Sequence, residues 1–486
     1  MAINLIQEHG KETVMNQIYK EIQRVYLSDT RPWVIGYSGG KDSTLTAMVV
    51  FEAISQLPEE QRSKEIHIVS SDTMVENPLI LNYLQKNIDM MNDFSKESHL
   101  NIYSKLVKPE TSETFWSLLL GKGYPSPRQK FRWCTHRLKI KPIDVYINQL
   151  AIKHGSVVVV LGVRSAESNS RKSSIEEHTI DGKTLKTHTT NSNAFVYAPI
   201  EHLSNDDVWA SLLNTHTPWG FDNNLLLSLY RDASDESECP VQQDVNAPSC
   251  GQSRFGCWVC TVVVKDKSLT GFIYTGYEEL EPLLEFRNTL VELRENPEYR
   301  QNYRMNGKIY YVGSEENGRR GLGPFSLEGR KKLMRSLLNA QVEFNKILKY
   351  AEKMRFTINQ DEYYELITKD ELEYIRELWI EEGDWADSLP SMYEEIIGKP
   401  FYSGYINQPF ISQSDESILE SICSDVDIDT VLIKSLITLE NKYLGLNTRT
   451  AIYNKIDKIL NQDIVHEEIL ELHRRDSNET KTTDNQ

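Results

Sequence analysis

The sequence predicts an α/β protein: a doubly wound, mostly parallel sheet with an inserted cysteine module and a helical C-terminal region. Three observations carry that prediction. Short β-rich apolar runs alternate with segments of helical spacing from residue 11 to about residue 212, the pattern of βαβ units whose helices cover both faces of a sheet. Four of the six cysteines crowd into residues 239–260. From about residue 326, starting with SLEGRKKLMRSLLNAQVEFNKILKYAEKM, the spacing is largely helical.

Taken in order, residues 11–26 have helical spacing and WVIGY is a short strand. STLTAMVVFEAISQL is a helix ended near Pro58, and EIHIVSSD is a second strand. NPLILNYLQKNIDMMNDF is a helix with Pro78 near its start, where a missing N–H does no harm. LNIYSKLV is a third strand, residues 137–153 a helix, and SVVVVLGV a strongly apolar strand. Residues 165–193 break the alternation, with a hairpin signal at Asp181-Gly182. FVYAPIEHLSNDDVWASLL then gives a short strand and a helix capped by Ser204 or Asn205. Residues 231–262 read as loop, rich in Cys, Pro, Ser and Asp.

At 486 residues the chain is long enough for about three units of roughly 150 residues. The expected division is 1–230 for the strand–helix domain, 231–325 for the cysteine-rich module and 326–486 for a helical accessory region, with a polar tail from about 474. Apolar residues make up 39% of the chain, ordinary for a protein with a sizeable core. No stretch approaches the roughly 20 apolar residues of a membrane span. MAINLIQEHGKE has no basic n-region or apolar core, so the expected compartment is the cytoplasm, where thiols serve chemistry or metals rather than disulfides. The net charge of −17 is unevenly placed: residues 361–486 hold 28 acidic and 11 basic residues, whereas residues 1–360 hold 43 of each. That acidic end repels nucleic acid at long range, which argues against autonomous tight DNA binding.

The stretch VIGYSGGKDSTLTA puts two glycines where a strand gives way to a helix. Such a junction aims backbone N–H groups and a positive helix end at one spot, a site for an anion. Gly39 and Gly40 permit close backbone approach, Ser38 and Ser43 add hydroxyl donors, and Lys41 adds a cation. Asp42 is out of place beside an anion unless it holds a metal; a Mg²⁺ shared with phosphate oxygens resolves this. The loop is not a Walker A sequence, since Ile35 stands where its first glycine is needed and Asp42 follows Lys41.

The cysteines are spaced Cys239-x10-Cys250-x6-Cys257-x2-Cys260, which is ligand spacing, and zinc and iron–sulfur clusters both accept four thiolates. Cys134 stands apart in PRQKFRWCTHRLKIKP, where residues 128–141 carry six Arg or Lys and no acid. Positive neighbours are expected to lower its pKa and favour the thiolate. Cys423, alone on a helical stretch, reads as core.

The loop resembles the SGGxDS loop of the PP-loop ATP pyrophosphatases, which cleave ATP between the α and β phosphates. SSDTMVENP resembles a nucleotide-site segment of the sulfate-nucleotide reductase branch, which implies roles for Asp72 and Thr73 and, through the offset proline, a weaker one for Glu76. LGVRSAES resembles that branch's Gly-x-Arg segment, implying phosphate-side contacts for Gly162 and Arg164. YAPIEHLSNDDVWASLL resembles the segment that closes the reductase core, where Asp207 and Trp209 need only a structural role. The basic Cys134 segment resembles the reductases' CC…RK…P element, but Thr135 replaces its second cysteine. Cys134 is then either a cluster ligand or a persulfide carrier.

Read together with FGCWVCTVVVKDKS, these segments make residues 15–345 similar to the DndC family, the sulfurtransferases of bacterial DNA phosphorothioation. The resemblance implies an adenine nucleotide alpha hydrolase-like fold and catalytic roles for Lys41, Asp42 and Cys134. It implies ATP and Mg²⁺ on Ser38, Gly39, Gly40, Lys41, Asp42 and Ser43, and a [4Fe–4S] cluster on Cys239, Cys250, Cys257 and Cys260. Implied partners are a cysteine desulfurase, other Dnd or Ssp proteins, and DNA as substrate. The single-strand phosphorothioation enzyme SspD shares these parts. A sulfate-nucleotide reductase is the first rival, but the chain ends HRRDSNETKTTDNQ without the redox cysteine those enzymes carry. A tRNA thiolase and a non-catalytic scaffold with a zinc module are the others.

Overall fold

The computed structural model describes residues 4–165, 185–187, 193–213, 215–233, 255–305, 310–312, 319–351, 362–401, 413–428, 430–442 and 450–463. They fall into two compact units. The first comprises Met1–Phe115, Pro127–Arg287 and Glu343–Tyr364, and the second Trp116–Ser126, Asn288–Val342 and Glu365–Gln486.

In the first unit the strands are β1 (Trp33–Gly36), β2 (Ile66–Ser71), β3 (Ile102–Val107), β4 (Val157–Val160), β5 (Lys186–Thr187) and β6 (Ala194–Tyr197). They form one sheet in the order β3-β2-β1-β4-β6-β5. Every pairing is parallel except that of β5 with β6, where Lys186 faces Val196. The helices are α1 (Leu5–His9), α2 (Lys11–Leu27), α3 (Lys41–Ser55), α4 (Pro78–Glu97), α5 (Lys141–His154), α6 (Asn205–Leu212), α7 (Asn223–Asp232), α8 (Lys267–Tyr274) and α9 (Glu281–Glu295), of which α9 continues into the second unit.

The apolar runs are explained by burial on both faces. Val34, Val69, Val157 and Val159 on one face pack with Ile147, Leu150 and Ala151 of α5. Trp33 points the other way and meets Tyr26 of α2 edge-on at 5.6 Å. Pro78 takes the first position of α4, and the Asn77 side chain caps it by accepting from Leu79 N–H at 3.0 Å. Ser204, not Asn205, caps α6: its Oγ accepts from Asp207 N–H at 3.1 Å while Asp207 Oδ2 accepts from Ser204 N–H at 2.9 Å. Asp207 also accepts the Ile6 N–H at 2.9 Å, so α6 and α1 share one carboxylate. The helix expected over 137–153 starts as a π-helical turn, Thr135–Ile140, and becomes α-helical only at Lys141. Pro142 in its first turn has no N–H to continue an α ladder backwards. The Asp181-Gly182 turn lies outside the described residues.

In the second unit Trp116–Ser126 contains a π-helical turn, Ser117–Gly121, whose carbonyls are bonded to partners far along the chain. Trp379 Nε1 donates to the Leu120 carbonyl at 2.7 Å and Arg330 Nη1 to the Gly121 carbonyl at 2.6 Å. The unit holds a two-stranded pair, β7 (Tyr311–Val312) with β8 (Arg319–Arg320). Its helices include the start of α10 (Leu327–Leu348), then α11 (Lys369–Glu382), α12 (Ser388–Ile397), α13 (Gln413–Asp425), α14 (Thr430–Lys442) and α15 (Thr450–Asp463). Cys423 is buried, as a core cysteine should be. No described helix is long and apolar enough to cross a membrane.

Candidate active site

The strand order reverses at β1. The chain runs outward from β1 to β2 and β3, then returns to place β4 on the other side of β1. Loops at the carboxyl ends of β1 and β4 therefore diverge and leave a crevice, the usual ligand position in such sheets. The loop 38–43 follows β1 and Gly162 follows β4. They line a cleft of about 480 Å³ together with residues including Tyr37, Ser71, Glu76, Lys139, Tyr230 and Phe255.

The loop is braced from within. Ser38 N–H donates to Ser43 Oγ at 3.2 Å, the two hydroxyls lie 3.1 Å apart, and Ser43 Oγ donates to the Gly40 carbonyl at 3.0 Å. Gly39 has φ +71°, and a Cβ there would sit 2.6 Å from Leu84 Cδ2, so only glycine fits without strain. Gly40 caps α3, and Lys41 opens it. Asp42 lies between two cations: its Oδ2 is 3.1 Å from Lys41 Nζ and its Oδ1 accepts from Arg164 Nε at 2.6 Å. Arg164 is 3% exposed, so its charge is held chiefly by Asp42. A Cβ on Gly162 would come within 2.8 Å of the Asp42 carbonyl oxygen, which explains glycine there.

Asp72 and Thr73 are buried at the end of β2 and do not line the cleft. Asp72 Oδ1 accepts Met74 N–H at 2.8 Å, and Oδ2 lies 3.3 Å from Lys108 Nζ. Thr73 Oγ1 donates to Glu76 Oε1 at 3.1 Å and lies 3.4 Å from Cys257 Sγ. Glu76 is the weaker expectation that the structure brings to the centre. Its backbone bridges to Cys257, and Lys139 Nζ reaches its Oε1 at 3.0 Å. Trp258 N–H donates to the Val75 carbonyl at 3.1 Å, fastening the cysteine pair to the β2 loop. Burial, then the Glu76 charge, pushes the Cys257 thiol up to about 12.

Cys260 N–H donates to the Cys257 carbonyl at 3.0 Å, closing a turn that carries both thiols. Cys134 begins the π-helical turn before α5 and lies near enough to Cys260 for the charge of one to act on the other. Its expected lowering of pKa is overturned: burial raises the Cys134 thiol and Cys260 raises it further. The nearby cations are already engaged, Arg137 with Glu113 at 2.7 Å, Lys141 with Glu113 at 3.5 Å and Lys139 with Glu76. Cys239 and Cys250 lie outside the described residues. Among the described residues no three His, Cys, Asp or Glu side chains are grouped to hold a metal ion. The thiols of Cys257 and Cys260, in one turn, are a donor pair of the kind that zinc and iron–sulfur centres use.

Tyr230, Phe255 and Lys139 escaped the sequence reading. The Tyr230 hydroxyl accepts from Lys41 N–H at 3.2 Å, and its ring packs on Phe255 at 4.7 Å, two residues before Cys257. Nothing in the local sequence marks Tyr230, on α7, as a neighbour of a loop 190 residues earlier. Lys139 was visible only as one cation of six.

A five-strand parallel run, helices on both faces and a glycine-rich loop at the switch point make a doubly wound α/β fold. No protein-family model matches the chain. An uncharacterized protein of Methanocaldococcus jannaschii is 29% identical over 209 residues, 41% of this chain and 36% of that protein. The chain thus spans about a third of the length of the curated relative it matches. Among solved structures, the U34-tRNA thiolase NcsA from Methanococcus maripaludis with its [4Fe-4S] cluster aligns at 14% identity and TM-score 0.28, over 60% of this chain and 85% of that one. Candida glabrata FMN adenylyltransferase in complex with FAD and inorganic pyrophosphate aligns at 14% identity and TM-score 0.30, over 50% and 69%.

Proposed function

We propose that the chain is an ATP-dependent sulfurtransferase that exchanges a non-bridging oxygen of a DNA backbone phosphate for sulfur. One observation carries this reading. The glycine loop after β1 and the Glu76–Lys139 pair that flanks Cys257 open onto the same cleft, so an activated phosphate and sulfur chemistry can meet there.

The triphosphate of ATP lies on the loop 38–43, with N–H groups and the Ser38 hydroxyl as donors, while Ser43 braces the loop through the Gly40 carbonyl. Asp42 is the residue that would hold the accompanying Mg²⁺; one carboxylate plus phosphate oxygens is an ordinary Mg²⁺ set. Arg164, already bonded to Asp42, holds that carboxylate in place. A DNA phosphate oxygen attacks the α-phosphorus, the bond to the β-phosphate oxygen breaks, and pyrophosphate leaves. The DNA oxygen is now the leaving group of an AMP ester, a far better one than an ionised oxygen. A cysteine desulfurase supplies sulfur as a persulfide on Cys134. Its terminal sulfur attacks the DNA phosphorus, and AMP departs with the oxygen. A dithiol then cleaves the S–S bond, leaving the phosphorothioate and the free Cys134 thiol while the dithiol becomes a disulfide. Cys239, Cys250, Cys257 and Cys260 would hold a [4Fe–4S] cluster, which supplies sulfur-handling and redox capacity beside the cleft. Other Dnd or Ssp proteins bring the DNA.

The test is a Ser38→Ala/Asp42→Ala double variant assayed for pyrophosphate release from ATP, with labelled sulfur followed from cysteine onto DNA and onto tRNA. Loss of pyrophosphate release and transfer to DNA in the wild type support the reading. Normal release by the variant refutes the loop assignment, and transfer to tRNA instead of DNA makes the chain a tRNA thiolase.

A further inference from the structure

The basic segment 128–141 divides in two. Arg137, Lys139 and Lys141 are matched by Glu113 and Glu76 within the chain. Lys130 and Arg132 lie exposed on a tight turn that begins at Arg128. That turn is closed by reciprocal backbone bonds, Arg128 N–H to the Phe131 carbonyl at 3.1 Å and Phe131 N–H to the Arg128 carbonyl at 2.9 Å. Phe131, among these cations, is 47% exposed. The root of the turn is anchored on both sides. Thr261 Oγ1 donates to the Pro127 carbonyl at 2.8 Å, and Trp133 stacks on Phe115 at 5.4 Å. Cys134 is the next residue after Trp133.

A large ring held on a braced turn and flanked by two exposed cations suits a nucleic-acid strand, because cations neutralise phosphates and a ring face takes a base. An acidic protein surface would engage the charges but give a solvent-facing phenyl ring nothing comparable. Stacking requires a base free of its duplex neighbours. We propose that residues 128–132 form a strand clamp for single-stranded DNA, with Phe131 stacked on an unpaired base and Lys130 and Arg132 on flanking phosphates. The clamp presents the backbone to the Cys134 side of the site. It rests on the reading above for DNA as the strand.

The test is fluorescence anisotropy of the full chain with a labelled single-stranded DNA of about 20 nucleotides, enough for one binding site, over a range of salt. Phe131→Ala weakens binding roughly tenfold while Phe131→Tyr retains it. Lys130→Gln/Arg132→Gln lowers the log–log salt slope by about 1.4, at about 0.7 for each of two phosphates, and Arg137→Gln/Lys141→Gln leaves it nearly unchanged. The proposal is overturned if Phe131→Ala binds within twofold of wild type, if Lys130→Gln/Arg132→Gln keeps the full slope, if RNA of the same sequence binds more tightly, or if the chain binds no single-stranded DNA. None of those outcomes touches the loop assignment, which stands or falls on pyrophosphate release by the Ser38 and Asp42 variant.

Discussion

Gly162 shows how one residue type can be dictated by backbone contact rather than by chemistry. A Cβ at this position would meet the Asp42 carbonyl oxygen and Thr46 Oγ1, both at 2.8 Å, and the carbonyl belongs to the first turn of α3, which cannot yield as a flexible side chain would. Gly162→Ala is therefore expected to cost about 1–3 kcal/mol of stability as an overpacked site. It should also lower pyrophosphate release more than tenfold, since the displaced residue is Asp42; thermal unfolding and a release assay check the two effects separately. The glycines, serines and charges of residues 38–43 were legible in the sequence because strand, turn and helix follow one another directly. The Asp42–Arg164 pair was not, because its partners are separated by 122 residues and meet only when β4 docks beside β1. The same holds for Tyr230 and for Glu76, whose importance depends on where the chain returns.

At the scale of the element, β2 carries a polar residue where its neighbours are apolar. His67 is buried against α5, its Nδ1 2.9 Å from the Tyr146 hydroxyl and its Nε2 3.3 Å from Glu65. Burial lowers its pKa from 6.5; Glu65 opposes that shift and His154 and Lys153 add to it. The folded state thus keeps His67 neutral where the unfolded chain takes up a proton, so this contribution is present above about pH 6.5 and is lost as pH falls through the lower folded value. Melting temperatures measured between about pH 7 and pH 5 should fall with acidity, and His67→Gln should flatten that slope. An unchanged slope would assign the acid sensitivity to other groups. Elements themselves were readable wherever period and caps agreed, as for α4 with Asn77-Pro78 and α6 with Ser204. The π-helical turn before α5 was not readable, since its residues have ordinary helical spacing and only the packing selects the wider turn.

At the scale of the whole molecule, the cysteines come from distant parts of the chain. Cys134 precedes α5, whereas Cys257 and Cys260 follow α7, yet Cys260 lies close enough to Cys134 for its charge to raise that thiol. With the four-cysteine cluster proposed above, anaerobically purified protein should be brown, with a broad band near roughly 400 nm and about four irons per chain. Cys257→Ser should lose the iron, and Cys134→Ser should keep it while losing sulfur transfer. A colourless zinc protein would point to the scaffold reading. Equal iron loss in the two variants would make Cys134 a ligand instead of a carrier. On the function proposed above, the acidic excess of residues 361–486 works against DNA approach and leaves the attraction to the exposed turn and to partner proteins.

By itself the sequence determined the α/β class, the strand–loop–helix junction at residues 38–43 and the grouping of cysteines, because each is written in contiguous residues whose periodicity and turn chemistry act locally. Only the tertiary structure decided the order of the strands, the pairing of Asp42 with Arg164, the convergence of Glu76, Lys139 and Cys257, and which cations of residues 128–141 remain exposed. Those features depend on long-range contacts. A side chain's burial, charge partners and chemical role follow from what the fold sets against it, and local spacing carries no record of that neighbour.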